Sequence, residues 1–588
     1  MLEALYKYAI DNELTARPGF KHKNVKYYIS FSAEGKFIGF EEGTPQSLCP
    51  DIGTLANGKS KSNIIVEKAE VIFNLPEKKK DGTPEYKRAQ KQQFYIEALY
   101  EAGEHDRRFK IAAQGLESNM ETITTSFEQL PKVKGSDFIS IKVDGVPLES
   151  STGYLDWWED FRKNLDTKKR PGAESRCFIT GDLTEPVKTV PAVQGLISVG
   201  GHTKGDSFIC FDKDCYQSYG FKQAANAAVS EEAVTAVNSA LAELMKKAPL
   251  PIAGAKNIHW FSEETENDVT KLPDFGFGGD DSEEDKSENL DEDEQRVQKM
   301  FRALKENTLP PMPKNRYYMM LLSGVNGRVM IRSYDEGTYD ELCDNLRTWF
   351  DDLSIYEPKY GYRYPKLFRI YSRLLKYSSD KTKLSEKITK ELSGIAPRIV
   401  YSIYHGTPLP DTVAVKALAY IRSDMYSSDD DSSKSLIPDR TACQILKAWL
   451  NRIYRTQKKE EYLIMDKLNN NSPSAAYQTG RLMAVYAMIQ NAALGDVGAG
   501  VVERYYTSAC SSPALVMGKL ATMSQYHLSK LKSDKPGMYV NFNKMLEEIS
   551  LKIGNSLPKT FTLEQQSEFA LGYYFQRSQR YSGKETEV

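Results

Sequence analysis

The chain changes its hydrophobic period part-way along, and that change limits the folds open to it. Before about Thr382, short β-prone runs alternate with helical patterns; beyond it, helical patterns take over. VKYYISFSAEGKFIGFEEG predicts two strands joined at Glu34-Gly35, and NIIVEKAEVIF predicts another. In RYYMMLLSGVNGRVMIRSY, Asn326-Gly327 separates two β-like runs, a hairpin signal because these residues tolerate the positive φ of a tight turn. Ser230 is placed to cap a helix carrying Val234, Val237, Leu241 and Leu244 on one face, with Lys246 and Lys247 at its end and Pro249 stopping it. YLDWWEDFRKNL reads as a helix anchored in a core by Trp157 and Trp158.

Further on, Tyr477–Asn491 spaces Leu482, Val485, Tyr486 and Ile489 along one helix face. Ser512-Pro513 reads as an N-cap followed by an N1 proline. Thr562-Leu563-Glu564-Gln565 is a capping box opening a last helix that runs through Phe569 to Arg577. No internal repeat of roughly 20–50 residues is found. The expected fold is α+β: a mixed α/β body over residues 1–375, then a helical bundle over 376–588.

With 588 residues there is material for at least two cores. The apolar runs fall short of a membrane span, and the start of the chain has neither a basic leader nor a cleavage site, so a cytoplasmic protein without a membrane partner is expected. The seven Cys, at 49, 177, 210, 215, 343, 443 and 510, suit a reducing compartment. Cys210, Cys215 and His202 match no zinc spacing, so no metal is assigned and buried free thiols are expected. Net charge is −2, but Asp280–Glu294 holds ten carboxylates and one Lys, leaving +7 for the other residues. The acidic stretch, about 278–296, reads as a solvated linker, and the surplus elsewhere allows a basic face for nucleic acid.

Enzyme signatures are thin. Gly53-Thr-Leu-Ala-Asn-Gly-Lys-Ser60 satisfies the phosphate-loop pattern, which would make the chain an NTP-hydrolysing enzyme. That chemistry needs a buried strand before the loop and a helix N-terminus after it, and the flanking sequence promises neither. Tyr462–Asp466 imitates an acidic strand end for Mg²⁺, but in helical surroundings. Pairs such as Asp156 and Glu159 read as surface charge. No catalytic residue and no cofactor are assigned. A basic loop carrying Lys59 and Lys61 is the better reading of the pattern, followed by a second basic run, Lys78, Lys79 and Lys80 with Lys87, Arg88 and Lys91.

The most distinctive stretch is Arg176–Ser230, in which an apolar strand is followed by a Pro-punctuated loop and Gly200-Gly201-His202-Thr203-Lys204-Gly205. Glycines there let a backbone approach a neighbour or a ligand closely. As a plain structural turn the segment needs no ligand, and the chain is then a scaffold that does not read DNA. The order Cys177, Thr180, Gly181, Gly200, Gly201, Ser218, Tyr219, Gly220, Gln223, Asn226 resembles the signature region of the large subunit of the type I-C CRISPR Cascade complex. Further on, YQTGRLMAVYAMIQNAA, VVERYY, HLSKL and FALGYYFQR resemble the helical signatures of that family in order. The likeness weakens between Asp268 and Glu306, and His202-Thr203-Lys204-Gly205 stands where the family commonly has Gln-Ser-Ser-Gly.

The resemblance implies a non-catalytic subunit that detects the protospacer-adjacent motif in double-stranded DNA, starts R-loop formation and steadies the displaced strand. It implies as partners the crRNA-bearing backbone subunits, a small subunit and a helicase–nuclease that cuts. Under it, Gly200, Gly201, His202, Thr203, Lys204, Gln223 and Asn226 are candidates for reading the motif, and Lys59, Lys61, Lys78, Lys79 and Lys80 for duplex phosphates. Arg481, Arg504, Lys530, Lys532 and Arg577 lie among Tyr505, Tyr506, Tyr526, Tyr573 and Tyr574, a mixture suited to a single strand. The family makes a small subunit by internal translation; Met465, ahead of the last helices, is the candidate start, which makes 465–588 a small-subunit-like module.

Overall fold

The computed structural model describes residues 1–14, 19–45, 47–78, 83–165, 174–248, 251, 253–263, 303, 312, 314–357, 361–378, 383–426, 436–495, 500–554 and 557–578. The architecture is α+β, with strands concentrated before position 363 and helices alone after it among the described residues. The chain divides into two compact units, Met1–Pro191 with Ile209–Leu241, and Ala192–Phe208 with Ala242–Val588. The acidic stretch lies outside the described residues.

The first unit is built on a mixed sheet. Strands β1 (Val25–Phe31) and β2 (Phe37–Glu42) form the expected hairpin, with Gly35 turning it at φ +82°. β1 also pairs in parallel with β4 (Phe138–Val143), and β3 (Glu67–Lys68) and β5 (Val146–Pro147) flank β4 antiparallel. Helices α1 (Ala89–Ala102) and α2 (Arg107–Glu128) supply the other layer, burying Tyr95, Leu99, Phe109 and Leu116 with Ile29 and Ile141 of the sheet. NIIVEKAEVIF is not one strand: Ile65 takes φ +63°, so only Glu67–Lys68 joins the sheet and Ala69–Ile72 makes one helical turn. Apolar character alone did not separate these conformations. Trp158 of α3 (Leu155–Leu165) is buried, and its indole N–H donates to the Gly19 carbonyl at 3.1 Å. Helix α4 (Glu231–Lys247) starts as expected, the Ser230 hydroxyl accepting the Ala233 N–H at 3.1 Å; Pro249 lies outside the described residues.

In the second unit, β6 (Lys256–Phe261), β7 (Arg316–Val325) and β8 (Arg328–Thr338) form an antiparallel sheet with β7 central. Asn326 and Gly327 have φ +52° and +76°, the conformation the hairpin requires. Helix α5 (Tyr339–Leu353) opens with a capping box between Thr338 and Glu341. The helices that follow are α6 (Leu384–Leu392), α7 (Ala396–His405), α8 (Asp411–Met425), α9 (Arg440–Thr456) and α10 (Ala475–Leu494), then α11 (Val501–Ser511), α12 (Pro513–Asp534), α13 (Pro536–Ile553) and α14 (Leu563–Ser578). Pro513 occupies N1 of α12, but the Ser512 hydroxyl makes no cap bond. Thr562 and Gln565 close the capping box of α14, with the Thr562 N–H on Gln565 Oε1 at 3.0 Å and the Gln565 N–H on Thr562 Oγ1 at 3.3 Å.

One core takes in Tyr317 and Leu346 from before position 375 and Trp449, Tyr477 and Phe575 from after it. Two of the sequence signatures meet inside it. A Cβ on Gly480 would lie 2.8 Å from the carbonyl carbon of Phe569, and one on Gly572 would lie 2.9 Å from that of Tyr477. The YQTGR and FALGYY motifs are thus the two sides of the α10–α14 crossing, where only glycine lets the backbones touch. A buried ion cluster holds α5 to α9. Asp352 accepts from Arg452 Nε at 3.1 Å and from Arg455 at 2.6 Å. Lys447 Nζ donates to the carbonyls of Asp351 (2.7 Å) and Asp352 (3.1 Å), capping the C-terminal turn of α5.

Candidate nucleic-acid interface

The Gly-rich loop, Ala192–Phe208, belongs to the second unit and is carried by the β7–β8 hairpin. A two-way backbone bridge between Val193 and Asp206 (both bonds 2.8 Å) closes its neck. Ser207 N–H donates to the Gly327 carbonyl at 2.8 Å, and Val329 N–H to the Ser207 carbonyl at 3.0 Å, joining the loop to the hairpin turn. Gly200 and Gly201 are spent on this docking. A Cβ on Gly200, at φ +85°, would stand 2.7 Å from the Gly324 carbonyl oxygen, and one on Gly201 would stand 2.6 Å from Leu196 Cβ and strike the Asp206 carboxylate. Their freedom serves backbone packing inside the protein.

The docking leaves His202, Thr203 and Lys204 exposed at the tip. Asp206 is fully buried and accepts the His202 N–H on both carboxylate oxygens (3.2 and 3.1 Å). The Lys204 N–H donates to His202 Nδ1 at 3.1 Å, which leaves Nε2 to carry the proton of the neutral ring. Gln194 Nε2 donates to the Lys204 carbonyl at 2.9 Å. The tip therefore offers an imidazole donor, a hydroxyl and an ammonium on a braced frame. Asp206 and Gly324 were not singled out in the sequence; Asp206 acts within the folded loop, on His202, and Gly324 meets Gly200 and Gly201 across more than a hundred positions.

Gln223 and Asn226 belong to the first unit. Asn226 is a brace: its Oδ1 accepts from Ser218 N–H at 2.8 Å, and its Nδ2 donates to the carbonyls of Phe221 (3.1 Å) and Gln223 (2.9 Å). Gln223 is exposed at the start of a 3₁₀ turn, Gln223–Ala227, with φ +49°. What the brace presents is Tyr219, held at φ +53° and 98% exposed, with Lys213, Tyr216, Phe221 and Lys222 also exposed around it. The stretch before this loop is a turn, not the expected apolar strand: only Ser175–Arg176 pair, with Leu183–Thr184. Burial raises the Cys177 thiol, but N–H donors from Thr180 and Ser230 outweigh it and leave the pKa below the ordinary value. Cys210 and Cys215 are exposed, which corrects the expectation of buried thiols at those two positions; the other five are buried.

Gly53–Asn57 form a 3₁₀ turn and Gly58 is extended. The helix nearest after Ser60 is the single turn Ala69–Ile72, so the phosphate-loop pattern lacks the helix N-terminus its chemistry needs. Lys59 is exposed, whereas Lys61 Nζ is bonded to the Leu165 carbonyl. Lys78 lies in a two-residue strand, and Lys79 and Lys80 fall outside the described residues.

Among the C-terminal candidates, Arg481 is buried and committed to Gln576 (2.9 Å), Gln478 (2.8 Å) and Asn470 (2.6 Å); burial lowers its pKa. Arg577 is half-buried. Tyr506, Tyr573 and Tyr574 are core residues, which removes them as stacking platforms. Arg504, Lys530 and Lys532 are exposed. On α12, Leu515, Lys519, Thr522, Tyr526 and Lys530 recur at three- and four-residue steps and are all exposed, forming a cationic–aromatic stripe. Lys519, which also lies 5.2 Å over the Tyr505 ring, was missed in the sequence because Met517 and Leu520 beside it mark the opposite, buried face. Met465 is exposed between the 3₁₀ turn Glu460–Tyr462 and α10. Among the described residues no helix is long and apolar enough to cross a membrane.

A family model described as CRISPR-associated protein (Cas_Csd1) matches residues 2–581. No curated protein matches the chain.

Proposed function

The chain belongs to the CRISPR-associated protein (Cas_Csd1) family, and from that premise we propose that it is the non-catalytic large subunit of a type I-C Cascade complex. It reads the protospacer-adjacent motif in duplex DNA, begins strand opening there and steadies the displaced strand, while base pairing to the crRNA reads the rest. Cleavage falls to a helicase–nuclease that joins after the R-loop forms. The observation that carries this reading is the match over nearly the whole chain.

The local geometry supports a division of labour. His202, Thr203 and Lys204 form a rigid polar tip suited to a groove edge and one phosphate. Tyr219, projecting from a braced loop, suits insertion against a base step, as apolar wedges do where a duplex is unstacked. The α12 stripe with Arg504 and Lys532 suits a single strand.

The test is binding of the reconstituted, crRNA-loaded complex to matched duplexes that differ only in the adjacent motif, at fixed salt. Wild type is expected to discriminate. Lys204→Ala is expected to weaken duplex binding, flatten its salt slope by about one charge, and keep targets whose strands are already open. If Lys204→Ala and Tyr219→Ala bind every duplex as wild type does, these two loops do not read or open DNA.

A further inference from the structure

A cavity of about 400 Å³ in the second unit has no part in the function proposed above. Its wall includes Val199 and Gly200 at the root of the Gly-rich loop, Asn257 of β6, Arg332 of β8 and Thr389 of α6. Asn257 is out of place by pattern. It stands opposite Leu321 on the sheet face that also carries Tyr317 and Met319 into the core, where an apolar residue is the default. It is 6% exposed, and neither its carboxamide nitrogen nor its oxygen has a hydrogen-bond partner among the described residues. Buried polar groups are almost always paired, so an unpaired amide lining a cavity marks a place built to meet a donor and an acceptor together.

Arg332 is the second irregularity. The β7–β8 ladder pairs Leu321 with Ser333 and Leu322 with Ile331, so Arg332 is the extra residue of a β-bulge. Bulges re-aim a side chain and recur beside functional sites. Its Nε donates to Ser323 Oγ at 2.9 Å, fixing the guanidinium. Arg332 and Pro397 also line an adjoining open groove of about 600 Å³ with Arg398 and Tyr401. Tyr401 is 44% exposed, and one face of its ring stacks on His405 at 4.2 Å.

A buried amide in the cavity, a guanidinium shared by cavity and groove, and a second guanidinium with a half-exposed ring in the groove match one chemistry. We propose that the cavity and groove bind a single nucleotide, its base against Asn257 and its phosphate at Arg332 and Arg398. The volume lies within the range of small-molecule pockets. An Asn carboxamide pairs in two-point fashion with the N6 and N7 edge of adenine, so adenine is the preferred base. Tyr401 stacks on a following base where the nucleotide is part of a strand. The inference goes beyond motif reading, because the ligand is one nucleotide and the protein alone suffices to test it.

Full-length protein is titrated with each of the four deoxynucleoside monophosphates and, separately, with an adenine-containing single-stranded oligonucleotide carrying a terminal fluorophore, whose anisotropy reports binding. Saturable binding is expected, strongest for dAMP or for the strand, and at least ten-fold weaker in Asn257→Leu and Arg398→Ala. Asn257→Leu replaces an unpaired amide by a similar apolar volume and is expected to unfold at no lower temperature than wild type; Arg398 is exposed, so its loss leaves the fold intact. Binding of dAMP alone identifies a free nucleotide as ligand, and binding that needs the oligonucleotide identifies a strand. Motif discrimination by the assembled complex is expected to survive Asn257→Leu, which separates this site from the duplex reader. Absence of saturable binding by wild type to either probe, or equal binding by both variants, overturns the proposal.

Discussion

Replacing Gly324 by Ala asks whether the hairpin carries the Gly-rich loop. A Cβ there would run into the Cα and N of Gly201 and lie 3.0 Å from the carbonyl carbon of Gly200. Non-bonded carbons settle at about 3.5–4.0 Å, and backbone cannot swing aside as a side chain can. The two segments must therefore separate, and overpacking on this scale costs about 1–3 kcal/mol. The cheapest relief is release of the loop at its junction with the hairpin turn. That gives up two backbone bonds, Ser207 to Gly327 and Val329 to Ser207, each worth about 0.5–1.5 kcal/mol net, so release and strain are of the same size. Gly200→Ala forces the same separation from the other side, its Cβ standing 2.7 Å from the Gly324 carbonyl oxygen. Because the first substitution has already freed the loop, the second is expected to add little, and the double variant should fall short of the sum by about 1–3 kcal/mol.

Native-state hydrogen exchange at the Ser207 and Val329 amides reads this directly. Each single variant is expected to lose protection by roughly five- to a hundred-fold, while the Val193 and Asp206 amides, bonded within the loop, keep theirs. Gly518→Ala on α12, where a Cβ meets nothing within 4 Å, serves as control and is expected to leave exchange unchanged. Full protection in Gly324→Ala, or strictly additive losses in the double variant, would refute the packing argument.

Asp352→Asn leaves the buried Arg452 without its counter-charge and is expected to destabilise the second unit by about 3–5 kcal/mol in chemical denaturation; a loss below about 1 kcal/mol would mean the cluster is solvated. Burial lowers the Lys447 ammonium from 10.5 to about 8, so the unfolded chain binds the extra proton between those values and this residue's contribution to stability rises with pH across that window. Relative to Lys447→Met, wild type is expected to gain roughly 3 kcal/mol from pH 8 to 10.5, and a difference that stays flat with pH would contradict it. Asp106 caps α2, accepting from the Arg108 N–H at 3.0 Å. Burial raises its pKa, but Arg108 and Ser151 outweigh that and hold it at about 2, from 3.8. Its stabilisation, about 2 kcal/mol, is present above pH 3.8 and lost as the pH falls through 2, and the acid unfolding curve of Asp106→Ala should lack that component. Replacing the Met465 codon by a non-start codon is expected to remove a separate C-terminal fragment on expression; a fragment that persists starts elsewhere.

What could be read from the sequence was what is local. The Asn326-Gly327 turn, the Ser230 cap and the Thr562–Gln565 box each lie within a few residues, where spacing and backbone preference determine the conformation. NIIVEKAEVIF was misread because a buried apolar run has no period to distinguish strand from turn, and the positive φ of Ile65 comes from its surroundings. The glycines show the same limit at the site. Their clustering announced close approach, but a sequence does not say to what, and Gly200 and Gly201 approach Gly324 of the protein itself. Gly480 and Gly572 approach the carbonyls of each other's helices in the same way. A signature rich in glycine can therefore record how a frame is held together, and under the proposed function candidate readers of DNA are sought among the residues that the frame leaves exposed. The candidates are His202, Thr203 and Lys204, the exposed Tyr219, and the α12 stripe, whose spacing became visible only once its buried face was known.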